Sequence, residues 1–155
     1  MVPTATITSR PSNPTNSVAP SFSFTANEAG SSFVCRLDGG AFAPCSSPKG
    51  YTGLADGLHS FEVKATDQAG NTGSVDAFTW TIDTVAPSAS ITTKPTNPSP
   101  DGSPSFAFSA SEAGSSFSCR LDAQAFAACV SVKSYPVLAD GPHTFAVRAT
   151  DAAGN

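Results

Sequence analysis

Apolar and hydroxyl-bearing side chains alternate at period two along most of the chain, and no window repeats at the 3.6-residue period of a helix. Ser21-Phe22-Ser23-Phe24-Thr25-Ala26 is the cleanest case, with both phenylalanines on one face and hydroxyls on the other. That is the pattern of an antiparallel strand half-buried on one side. Thr4-Ala5-Thr6-Ile7-Thr8 precedes it, and Phe33-Val34-Cys35-Arg36-Leu37 follows. A turn at Asp38-Gly39-Gly40 leads to Ala41-Phe42-Ala43, and Tyr51 to Leu54 predicts a short strand before the corner Ala55-Asp56-Gly57. Beyond that corner His59, Phe61, Val63 and Ala65 share one parity, and after Asp67-Gln68-Ala69-Gly70-Asn71 the residues Phe78, Trp80 and Ile82 share another. Seven short strands in about 84 residues make the protein all-β.

The pattern then repeats. Residues 3–71 lie on 87–155 without a gap, identical at 42 of 69 positions. Glu28-Ala29-Gly30-Ser31-Ser32-Phe33 returns as Glu112-Ala113-Gly114-Ser115-Ser116-Phe117, and Cys35-Arg36-Leu37-Asp38 as Cys119-Arg120-Leu121-Asp122. Two copies of one domain follow, residues 3–86 and 87–155. The second has no equivalent of Thr72 to Ala86, so it is expected to lack its last strand, and the chain reads as a piece of a longer array.

Short strands split by turns at this spacing predict tandem immunoglobulin-like β-sandwich domains. The stretch from Cys35 to Asn71, with C-R-L-D-G, a later Cys, L-A-D-G-x-H-x-F-x-V and A-T-D-x-A-G-N, resembles bacterial Ig-like repeats and, less closely, fibronectin type III modules. That resemblance implies a stalk, spacer or adhesive module of a large surface or secreted protein. The neighbouring domains of the same chain would be its first partners.

Two cysteines per copy at one spacing suggest the disulfides Cys35–Cys45 and Cys119–Cys129. A hairpin centred on Gly40 sets Cys35 directly opposite Cys45, whereas a metal site would call for closer cysteine spacing and a second ligand pair. Oxidised pairs imply an extracellular or cell-surface location. His59 and His143 occupy equivalent places at the rim of the core. Every reactive group of the second copy has a counterpart in the first, so no residue is assigned a catalytic role. Asp67 and Asn71, repeated as Asp151 and Asn155, offer oxygen ligands to Ca²⁺ together with the linker carboxylate Asp83. The preferred reading of Asp67–Asn71 is a turn closed by the Asp side chain, because a calcium cage wants more carboxylates. Trp80 shares the parity of the core, Tyr51 and Tyr135 fall at loop junctions, and the pattern leaves Phe42 and Phe126 unplaced.

Composition narrows the function further. A net charge of −4 at a charged fraction of 13% argues against nucleic acid and anionic membranes as partners. No apolar run reaches the length of a membrane span, and no signal sequence opens the chain. A non-enzymatic structural module is the leading expectation. The alternative is a glycan- or protein-binding accessory module of a secreted enzyme, contacting its ligand through Asn27 to Ser32 and Ser46 to Gly50. Exposed aromatic side chains clustered at one end would favour the alternative.

Overall fold

The computed structural model describes every residue, 1–155. The chain divides into two units, Met1–Thr84 and Val85–Asn155, built from strands alone. The first unit contains β1 (Ala5–Ser9), β2 (Ser21–Ala26), β3 (Ser32–Leu37), β4 (Ala43–Cys45), β5 (Lys49–Gly50), β6 (Gly57–Thr66) and β7 (Asp76–Ile82). One sheet has the order β1-β2-β5 and the other β4-β3-β6-β7, all antiparallel. Inward residues of both sheets form the sandwich core: Phe22 and Phe24 from β2, Phe61, Val63 and Ala65 from β6, and Trp80 and Ile82 from β7. Phe22 stacks on Phe61 with centroids 4.2 Å apart and meets Trp80 at 5.0 Å. The hydroxyl-bearing positions of the same strands alternate outward, as period two requires.

The loop between β1 and β2 seals the free edge of β7. Thr81 donates its N–H to Asn13 Oδ1 at 3.0 Å, Thr15 donates to the Thr81 carbonyl, and Asp83 donates to the Thr15 carbonyl, both at 3.0 Å. With Asn13 Nδ2 donating to the Thr79 carbonyl at 3.3 Å, these bonds cover the edge of β7 from Thr79 to Asp83. Asp76 ties the two sheets by accepting the Ile7 N–H at 2.8 Å. Gly73 is required where the chain passes Pro3, since a Cβ there would run into the Pro3 carbonyl.

Three details depart from the sequence pattern. The hairpin between β3 and β4 closes earlier than a centre at Gly40 would give, pairing Phe33 with Cys45 and Cys35 with Ala43. The cause is the turn: Asp38 and Gly39 both adopt positive φ, and Gly40 donates to the Leu37 carbonyl at 3.0 Å. Two successive left-handed residues make a tight hairpin turn and fix its centre. Next, the fifth strand is Lys49–Gly50 rather than Tyr51 to Leu54, because Gly53 at φ +68° interrupts the extended run. Phe78 lies at the rim of the core, half-buried, with the Arg10 guanidinium 4.4 Å from its ring centre.

The second unit contains β8 (Ala89–Thr93), β9 (Ser105–Ala110), β10 (Ser116–Leu121), β11 (Ala127–Cys129), β12 (Lys133–Ser134) and β13 (Phe145–Thr150). Its sheets are β8-β9-β12 and β11-β10-β13, so nothing occupies the place of β7. The counterparts of Phe22, Phe61, Val63 and Ala65 are only half-buried here: Phe106, Phe145, Val147 and Ala149. A cleft of about 920 Å³, lined by Phe106, Leu121, Leu138, His143 and Phe145 among others, marks the gap. β13 is also four residues shorter than β6. Those four residues pair with β7 in the first unit. In the second they lack that partner, and Pro142 stands where Leu58 does, without an N–H for a ladder.

Candidate functional sites

Each unit carries the same polar constellations. Asp38 follows β3 at φ 50°, where its Oδ1 accepts the Ser60 N–H at 2.8 Å and its Oδ2 faces His59 Nδ1 at 2.8 Å. His59 Nε2 lies 2.8 Å from the Ala55 carbonyl. The imidazole therefore bridges the β3–β4 turn and the corner before β6, with Trp80 beneath it at 5.5 Å. Hydrogen bonding to the Ala55 carbonyl, then to Asp38, raises the His59 pKa. His143, Asp122 and Ala139 reproduce the clamp at 2.9 Å on each side, without an indole beneath. The bonded partners of each histidine are an Asp carboxylate and a backbone carbonyl, so the ring ties a turn to the corner before the next strand.

Asp67 and Asn71 are brought together as a turn. Asp67 Oδ1 accepts the Asn71 N–H and Oδ2 accepts its amide Nδ2, both at 2.8 Å. Asp151 holds Asn155 in the same way, at 2.9 Å for each bond, and adds the Gly154 N–H at 2.7 Å. These bonds, led by the one from the Asn side chain, hold both aspartates below the usual carboxylate range. Asp83 is not brought to Asp67 and Asn71. It follows β7 where Ile82 pairs with Gly57, whereas Asp67 follows the other end of β6. Ten strand residues put roughly 30 Å between those ends. One ion cannot be shared by Asp67, Asn71 and Asp83 of the same unit.

The cysteines are joined as Cys35–Cys45 and Cys119–Cys129, each with Cα atoms 5.8 Å apart. Because Cys35 faces Ala43 and Cys45 faces Phe33, each bridge crosses its ladder diagonally and turns toward the core, where Cys35 and Cys119 are buried. Phe42, which the sequence pattern left unplaced, lies beside β3 and β6 with Arg36 4.5 Å and Lys64 4.4 Å from its ring centre. Phe126 is held likewise by Arg120 at 4.8 Å and Arg148 at 3.9 Å. Alternation alone could not have found this, since the ring lies in a loop. The i, i+6 spacing of Arg36 and Phe42 around a tight turn was the available signal.

The two loops suggested as contact surfaces are tied down internally. Asn27 Oδ1 accepts the Thr4 N–H at 2.7 Å, Ser31 donates to the Glu28 carbonyl at 2.9 Å, and Ser47 Oγ accepts the Phe24 N–H at 2.9 Å. Tyr51 and Tyr135 are half-buried, edge-on to Phe61 and Phe145 at 6.2 Å in each case.

An antiparallel two-sheet sandwich with its disulfide hairpin and its repeated turns defines an immunoglobulin-like module. The model of the bacterial Ig-like domain family matches residues 4–84, and the chain belongs to that family. No curated protein matches the chain. Among solved structures it is similar to dimeric latent PorU from Porphyromonas gingivalis, at 15% identity and a TM-score of 0.39 over 97% of this chain. The chain spans 17% of that protein's length.

Proposed function

We propose that the chain is a non-enzymatic structural module of a larger extracellular or cell-surface bacterial protein, spacing or presenting the domains beside it. The observation that carries this reading is the placement of the aromatic side chains. None is exposed in either unit, and the exposed large hydrophobic residues are Met1, Val2, Val18, Leu58, Val75, Val85, Ile91, Val130, Val132 and Val137. A sugar-stacking platform needs a bare aromatic face, which this surface does not offer. Groups suited to chemistry are instead spent on internal bonds: His59 on Asp38 and Ala55, Asp67 on Asn71, and the cysteines on each other. The two disulfides suit an oxidising compartment, and no helix is long and apolar enough to cross a membrane.

Stretching single chains between surface-attached ends tests the reading. The first unit is expected to give one distinct unfolding peak and to refold on relaxation. Reduction should add roughly 30 Å to the length released, since the Cys35–Cys45 bridge withholds a loop of sequence separation 10. Extension without a peak would exclude a role that depends on keeping domains apart.

A further inference from the structure

The two units differ in charge on the outer face of the disulfide-bearing sheet. In the first unit Glu62 stands directly opposite Arg36 across the β3–β6 ladder, and Arg36 Nη2 donates to Glu62 Oε2 at 2.8 Å. The same guanidinium and the Lys64 ammonium lie over the Phe42 ring. This face thus already holds one carboxylate, supplied by its own chain.

In the second unit Ala146 takes the place of Glu62, directly opposite Arg120. Arg148 takes the place of Lys64, so the second cation becomes a fork able to bind an oxyanion through two hydrogen bonds. Both arginines are exposed, both lie over Phe126, and neither is in an ion pair with a carboxylate. Contact with the ring restricts the two side chains before any ligand arrives, which lowers the ordering cost of binding.

We propose that Arg120 and Arg148, braced by Phe126 and with the Glu62 position vacated by Ala146, form a binding site for a carboxylate or sulfate group of an anionic polysaccharide. The surroundings favour a polysaccharide over a peptide. Ser116, Ser118 and Thr150 share this outer face with the two arginines through the β10–β13 register. The one aromatic ring is covered by cations. Two forked cations flanked by hydroxyls offer charge and hydrogen bonds together, the pairing that a charged sugar ring with its own hydroxyls can answer. The symmetry of the two repeats is broken here in the direction that frees a site.

The test titrates the isotope-labelled full chain with tetragalacturonate and, separately, with a sulfated oligosaccharide of the same length, following the arginine side-chain resonances. Neutral maltotetraose and hexaglutamate serve as comparison ligands. Saturable shifts at Arg120 and Arg148 are expected with at least one anionic sugar, and the stronger of the two identifies carboxylate or sulfate as the group bound. Maltotetraose should cause none, and hexaglutamate should bind more weakly. Arg120→Gln should weaken binding roughly tenfold or more. Ala146→Glu, which rebuilds the pair found in the first unit, should abolish binding while leaving the melting temperature unchanged. Glu62→Ala should open a second site at Arg36. Absence of shifts with both anionic sugars, or undiminished binding by Ala146→Glu, would overturn the site. Tighter binding of hexaglutamate would overturn the polysaccharide assignment.

Discussion

The imidazole of His59 faces the Asp38 carboxylate with one nitrogen and the Ala55 carbonyl with the other, each at 2.8 Å. Both partners accept hydrogen bonds, so both ring nitrogens are satisfied only when both carry protons. The folded pKa is accordingly raised above the ordinary 6.5, first by the Ala55 carbonyl and then by Asp38. A raised value means that the stabilisation is complete below about pH 6.5 and is lost as pH climbs through the folded pKa. Trp80, the sole tryptophan and fully buried, reports unfolding of the first unit alone. Its fluorescence melt should move to lower temperature between about pH 6 and pH 8. His59→Gln should flatten that slope, and an unchanged slope in the variant would remove His59 as its source.

The opposite sign applies to Asp67. Its pKa is lowered from 3.8 by the Asn71 side chain first and the Asn71 backbone second. The stabilisation it contributes is present above about pH 3.8 and is lost as pH falls through the folded value. Asp67→Ala should therefore lower the melting temperature at neutral pH and narrow the gap to the parent protein in strong acid. A constant gap at every pH would show that the side chain acts through something other than its charge-assisted bonds to Asn71.

Each cystine closes a loop of sequence separation 10. A loop of that length is worth about 3 kcal/mol in the chain-entropy model. In the first unit, with a core closed by Trp80 and Ile82, Cys35→Ser with Cys45→Ser should leave a folded but less stable domain. The second unit buries less, and Cys119→Ser with Cys129→Ser should unfold it at room temperature. Circular dichroism of the two double variants separates these outcomes, and equal losses in both would contradict the difference in packing.

The strands were legible because hydroxyl and aromatic residues alternate so regularly. Phe22, Phe24, Phe61, Val63, Trp80 and Ile82 all lie where parity places them. Register was less legible, since it hangs on turn geometry. Asp38 and Gly39 both take positive φ, but in the second unit Ala123 replaces Gly39 and only Asp122 keeps it. Alanine resists that conformation, yet the second hairpin keeps the same register, pairing Phe117 with Cys129, and the same closing bond, from the Gln124 N–H to the Leu121 carbonyl at 3.2 Å. Long-range ties such as Asp76 to Ile7, or Asn13 to Thr81, leave no periodic trace, because a single polar side chain in a loop looks the same whether it meets water or a strand edge. The charge difference between Glu62 and Ala146 was visible in the repeat, but its meaning depended on seeing Arg36 reach Glu62 across the ladder.

Amide hydrogen exchange offers the most direct test, because the chain contains its own control. Residues 57–66 and 141–150 are identical at six of ten positions, including every inward one, but β7 pairs with only the first of them. If a sandwich closed by β7 gives the module its rigidity, amides of Phe61, Val63 and Ala65 should exchange far more slowly than those of Phe145, Val147 and Ala149. Joining a second copy of residues 72–86 after Asn155 should bring the two sets together, as burial of the added Phe, Trp and Ile contributes about 1.5–3 kcal/mol each. Equal protection in the two units of the unextended chain would contradict the role given to β7.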